Sequence, residues 1–213
     1  MIKAVVFDLD DTLVDSWSRF DGGMLPVLDE EGIPYDREDM IRKMHPQGVP
    51  PTAALFCRMG VPGTVEEVTD RITAGMRREY AHNIFLMPGV RAYLEKLRAQ
   101  DIPMYILTAS PHPITDPCLQ NNGVYDWFEQ VWTVEDYGLT KAQPELFCRV
   151  VEAVGVPAEE ILYYDDSPTA VINAAAAGMQ VCGVLCSHTP ENAARIPTLT
   201  DRYIGSFEEL AGE

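Results

Sequence analysis

Ala4-Val5-Val6-Phe7-Asp8-Leu9-Asp10-Asp11-Thr12 runs from a short apolar segment straight into acid. The apolar residues read as a buried strand. Carboxylates at i and i+2 on an extended backbone project to one side, so Asp8 and Asp10 crowd charge at the strand's carboxyl end. Such groups repel one another unless a cation sits between them. An arrangement this costly points to chemistry rather than architecture.

Outward from that strand (residues 3–7), four more segments read as buried strands: 104–107, 130–133, 161–164 and 181–185. Each is short, apolar and rich in β-branched or aromatic residues. Helical patterns alternate with them at 90–98, 144–154 and 169–177. Pro144 stands at a first turn, and Gly155 and Gly178 mark ends. This alternation predicts an α/β fold with a Rossmann-like parallel sheet covered on both faces. Residues 203–210 read as a last short strand and a helical turn. Residues 16–84 break the pattern. They hold no convincing strand and read as helices over 17–31, 37–44, 52–59 and 65–80, punctuated by Gly and Pro. The expected organisation is a core from residues 1–15 and 85–213, with an all-helical domain, 16–84, inserted after the acidic loop.

The chain has 213 residues, a net charge of -17 and 46% hydrophobic residues, which suits one core with a sizeable insertion. The acidity argues against nucleic acid and anionic membranes as partners, since both are polyanions. Five cysteines without a C-x-x-C pair suggest neither a disulfide framework nor a zinc site. A cytoplasmic location is expected, with no signal peptide and no membrane span. The sequence assigns no oligomeric state.

Ligands of an open parallel sheet bind outside the carboxyl ends of its strands. There the sequence puts Asp8, Asp10, Asp11 and Thr12; then Thr108, Ala109 and Ser110; then Lys141; then Asp165, Asp166 and Ser167. A carboxylate can attack phosphorus. A hard divalent cation held by oxygens, Mg²⁺ above all, offsets the repulsion between nucleophile and phosphate. A hydroxyl and an ammonium can hold the remaining phosphoryl oxygens, and a second carboxylate can serve as acid and base.

With these residues in this order, the chain resembles the haloacid dehalogenase-like superfamily over nearly its whole length. Asp8-Leu9-Asp10-Asp11-Thr12 matches the D-x-D-x-T signature. The resemblance implies that Asp8 is the nucleophile and Asp10 the acid/base, its backbone carbonyl also binding metal. It implies that Thr108, with Ala109 and Ser110, and Lys141 bind phosphate. In Asp165-Asp166-Ser167-Pro168, Asp166 aligns with the metal ligand and Asp165 is a second acid beside it. The insertion matches the family's helical cap, which would close over substrate. Three positions depart from the pattern: Ala142 replaces a proline, Ala170 an acid, and Ala109 a frequent Asn.

The implied activity is a Mg²⁺-dependent phosphatase that acts on a small phosphorylated metabolite through an aspartyl-phosphate. A phosphosugar mutase of the β-phosphoglucomutase type is the alternative. That subfamily's cap histidine would fall at Phe20, and its first motif usually has Gly at Asp11. Dehalogenases and phosphonatases lack the equivalent of Asp10. A receiver-like signalling domain or a non-catalytic phospholigand-binding protein is a reading of another class; a receiver's phosphorylated Asp follows the third strand. Arg19, His45, Gln47 and Arg58 are weaker candidates for touching substrate, and the cysteines and tryptophans read as packing residues.

Overall fold

β1 (Ala4–Phe7) is buried along its whole length, as a strand flanked and covered on both sides must be. In the computed structural model of the chain, which describes residues 1–44 and 48–211, it lies inside a six-stranded sheet. The other strands are β2 (Met104–Thr108), β3 (Gln130–Thr133), β4 (Ile161–Asp165), β5 (Gln180–Val184) and β6 (Tyr203–Ile204). Every pairing is parallel and the order is β3-β2-β1-β4-β5-β6. Phe7 pairs with Ile106 of β2 and with Tyr164 of β4. The sheet therefore reverses its winding between β1 and β4, where an open α/β sheet has its ligand crevice.

Alternation along β1 and β4 builds two apolar faces. Ala4, Val6, Ile161 and Tyr163 join Leu107, Leu146, Phe147 and Val150 in one buried cluster. Phe7 and Tyr164 stack on the other face at 5.2 Å between ring centroids, with Tyr93, Phe128 and Phe207 around them. The strands are those read from the sequence, with end shifts. Thr108 and Asp165 are the last residues of β2 and β4, so both side chains take their direction from a strand.

Contacts divide the chain into two compact units, Met1–Asp15 with Phe85–Glu213, and Ser16–Ile84. The described part of the second unit is helical. The single helix expected over 17–31 is three pieces: a 3₁₀ turn at Trp17–Arg19 and short helices at Phe20–Met24 and Pro26–Glu30. Pro26 has no N–H for a continuous ladder and starts the last piece instead. The helix expected from 52 begins earlier, at Val49, because Pro50 and Pro51 fall in its first turn where N–H groups have no partner anyway. The longest helix, Val65–His82, starts with a capping box: Glu67 N–H donates to Thr64 Oγ1, and Thr64 N–H to the Glu67 carboxylate. In the first unit the helix His112–Asn121 was not read from the sequence, because Pro113 and Pro117 disguise it.

Candidate active site

The acidic loop does not stay extended. β1 ends at Phe7, the N–H groups of Leu13 and Val14 both donate to Leu9 C=O, and Asp11 adopts a left-handed φ of 56°. The turn sends the first two carboxylates to different partners. Asp8, 5% exposed, receives a short hydrogen bond from Lys141 Nζ at Oδ1. Asp10 accepts from Ser110 Oγ at 2.6 Å and from Thr108 Oγ1 at 3.5 Å, both at Oδ2. The backbone is no longer a strand at Asp8, yet Asp10 stays close enough to act electrostatically on Asp8, and the two carboxylates form a pair divided between different hydrogen-bond partners.

Thr108 is fully buried at the end of β2, and its Oγ1 also accepts from Ser110 N–H at 3.0 Å. Ala109 between them is exposed and offers only a methyl side chain. Lys141 precedes the helix Pro144–Val154, and its carbonyl accepts from Asn173 Nδ2 at 2.8 Å. Its ammonium bridges Asp8 and Asp165, with Asp165 Oδ2 at 2.8 Å. Asp165 is fully buried and heavily engaged. Tyr163 OH donates a short hydrogen bond to Oδ2, and Ser167 N–H donates to Oδ1 at 2.7 Å. Asp166 is half-buried beside it.

Burial pushes the Asp8 carboxyl well above the ordinary range; Lys141 pulls it down, and Asp165, Asp166 and Asp10 push it up further. Burial, then Asp165 and Asp11, raise Asp166 to about 8. Burial would lower the Lys141 ammonium, but Asp165 and Asp8 reverse that, so it stays firmly charged. Oxygens of Asp8, Asp165 and Asp166 all lie within 4.8 Å of one another. Hard oxygen donors crowded together, two of them raised by burial and then by neighbouring carboxylates, fit a small divalent cation such as Mg²⁺.

The structure thus brings together Asp8, Asp10, Thr108, Ser110, Lys141, Asp165 and Asp166. Arg19 and Arg58 are exposed on the helical unit, and His45 and Gln47 lie outside the described residues. Sequence reasoning missed Tyr163 and Asn173. Tyr163 had a signal: two residues before Asp165 on one strand, it shares that residue's face. Asn173 had none, being a polar residue in a helix four positions past a threonine. A separate cavity of about 390 Å³, lined by Asp11, Asp15, Cys186, His188 and Glu208 among others, adjoins the turn and does not include Asp8.

The parallel sheet, its switch point and the acid–lysine cluster define an α/β enzyme with a site at the strand ends. Over residues 5–184 the chain matches the haloacid dehalogenase-like hydrolase family, and it belongs to that family. It is 27% identical over 191 residues to a phosphoglycolate phosphatase of Yersinia pseudotuberculosis, covering 86% of this chain and 81% of that one. It is 26% identical over 190 residues to a phosphorylated carbohydrates phosphatase of Thermotoga maritima, covering 87% of each. Among solved structures, a candidate beta-phosphoglucomutase from Thermotoga maritima superposes with a TM-score of 0.86 over 99% of this chain and 97% of that one, at 22% identity.

Proposed function

We propose that this hydrolase cleaves the phosphate monoester of a small metabolite through an aspartyl-phosphate on Asp8. Family membership and relatives that are themselves phosphatases make it a phosphoric monoester hydrolase; the steps and residue roles below are our reading. The observation that carries it is the divided acid pair. Asp8 sits against a lysine ammonium, as a nucleophile toward an anion needs, while Asp10 sits against hydroxyls, where it can trade protons.

Asp8 Oδ attacks phosphorus, and the bond to the leaving oxygen breaks as Asp10 protonates that oxygen. Lys141, Thr108 and Ser110 hold phosphoryl oxygens, the ammonium replacing part of its contact with Asp8 by contact with substrate. Asp10, now ionised, takes a proton from water, which attacks phosphorus and frees Asp8. Asp8, Asp166, the Asp10 carbonyl and, less directly, Asp165 would hold Mg²⁺. When bound, that ion neutralises the carboxylates and the phosphate together. We read the helical unit, 16–84, as the cap that selects the leaving group, and the enzyme as cytoplasmic. Among the described residues no helix is long and apolar enough to cross a membrane.

The test is phosphate release from a panel of phosphorylated metabolites with Mg²⁺, against an EDTA control. The panel includes phosphoglycolate, sugar phosphates and β-glucose 1-phosphate. Metal-dependent release is expected. Glucose 6-phosphate formed without release would replace the phosphatase with a mutase.

A further inference from the structure

We infer that Tyr163 is a positioning residue of the phosphoryl site, its buried hydroxyl fixing Asp165 so that Asp165 gives Lys141 a fixed second partner beside the nucleophile. The inference rests on the roles proposed above for Asp8 and Lys141.

The phenol is fully buried in β4, on the same sheet face as Asp165. Its ring packs edge-on against Phe147 at 5.4 Å, in the helix that begins three residues after Lys141. Its hydroxyl donates to Asp165 Oδ2. A tyrosine in a core usually sends its hydroxyl to the nearest backbone carbonyl or to water; this one donates to a carboxylate that also receives the site's lysine. Asp165 is thereby held by Ser167 N–H on Oδ1 and by Tyr163 and Lys141 on Oδ2. With the hydroxyl gone, Ser167 N–H is the one fixed donor left, and the carboxylate can shift with the ammonium it shares.

That shift matters because the Lys141 ammonium is shared. It contacts Asp8 and Asp165 at once, while Asn173 fixes its backbone. To bind a phosphoryl oxygen it must loosen from Asp8 without drifting, and a rigid Asp165 gives it the second station. A loose Asp165 leaves Lys141 anchored by Asp8 alone, so an ammonium that turns to a phosphoryl oxygen has no fixed second partner to steady it. Tyr163 so acts on the reaction through Lys141 and touches no reacting atom.

The experiment is a double-mutant cycle of Tyr163→Phe and Lys141→Ala, reading kcat and KM on the best phosphomonoester, and the affinity for inorganic phosphate with Mg²⁺ by calorimetry. Tyr163→Phe keeps the ring and its packing. It is expected to lower kcat about tenfold, the scale of one hydrogen bond to a charged group, with KM little changed, and to weaken phosphate binding. In the Lys141→Ala background it is expected to change neither. An equal loss in both backgrounds, or unchanged kcat and phosphate affinity in the single variant, overturns the inference while the phosphatase reading stands. A wild-type chain that neither releases nor binds phosphate overturns that reading itself, and this inference with it.

Discussion

At the residue scale the site is a problem of like charge. Asp8, Asp165 and Asp166 are crowded at one strand edge, and Lys141 supplies one positive charge against them. Replacing Asp8 by Asn keeps the shape and deletes the proposed nucleophile. Turnover is expected to fall at least a thousandfold, on the order seen when a covalent nucleophile is removed, with the circular dichroism spectrum unchanged. Retained turnover in a steady-state assay would remove Asp8 from the role. The acids were legible because two short-spaced carboxylates after an apolar strand have few structural uses. Lys141 was legible only through the family pattern, since one lysine in a loop carries no signal of its own. Tyr163 was hidden by its surroundings. In Ile161-Leu162-Tyr163-Tyr164 it reads as one more apolar strand residue, and only its packing shows where the hydroxyl goes.

At the scale of elements, the helical unit depends on backbones that touch. A Cβ added at Gly75, within the helix Val65–His82, would lie 2.0 Å from the carbonyl oxygen of Gly23 in the helix Phe20–Met24. Alanine is intrinsically the better helix former by about 1 kcal/mol, so propensity alone favours Gly75→Ala. The contact reverses the sign, because the added methyl meets backbone that cannot rotate away. Gly75→Ala is expected to destabilise the chain by about 1–3 kcal/mol, as overpacking does, measured by urea unfolding. A gain in stability would show that the two helices do not approach so closely. Nothing in the sequence told which glycine mattered, since Gly75 is about fifty residues from Gly22 and Gly23 and meets Gly23 only in the folded chain. The strands were legible for the opposite reason. β1, β2 and β4 are buried on both faces, so their apolar runs are continuous and bounded by polar residues. The helix His112–Asn121 was missed because its two prolines are ordinarily breakers, yet Pro113 falls in the first turn, where no donor is needed.

For the whole molecule, charge and site push stability the same way with pH. The net charge of -17 makes the folded chain repel itself as acids ionise. Asp166 adds a local contribution, because folding raises its carboxyl to about 8 through burial and the neighbouring Asp165 and Asp11. Unfolded, such a group titrates near about 3.9. Between those two values the folded chain binds the extra proton, so stability is greatest below the lower value and falls as pH rises toward the upper one. Without metal, the melting temperature is expected to fall from pH 5 to pH 8. That slope alone does not separate Asp166 from the general charge. Asp166→Asn does: it removes the titration, changes the net charge by a single unit, and is expected to raise the metal-free melting temperature at pH 8 and flatten the slope. If Mg²⁺ is held by the folded site and not by the unfolded chain, as proposed, it is expected to raise the wild-type melting temperature at pH 8 in proportion to its occupancy. In Asp166→Asn that gain should shrink, because one of the carboxylates that would hold the ion is gone. Calorimetric scans of both proteins, in EDTA and in Mg²⁺, measure all four quantities. An equal Mg²⁺ gain in the two proteins would move the ion away from Asp166. A variant no more stable than wild type in EDTA at pH 8 would show that the crowding of carboxylates at the strand edge costs the fold nothing.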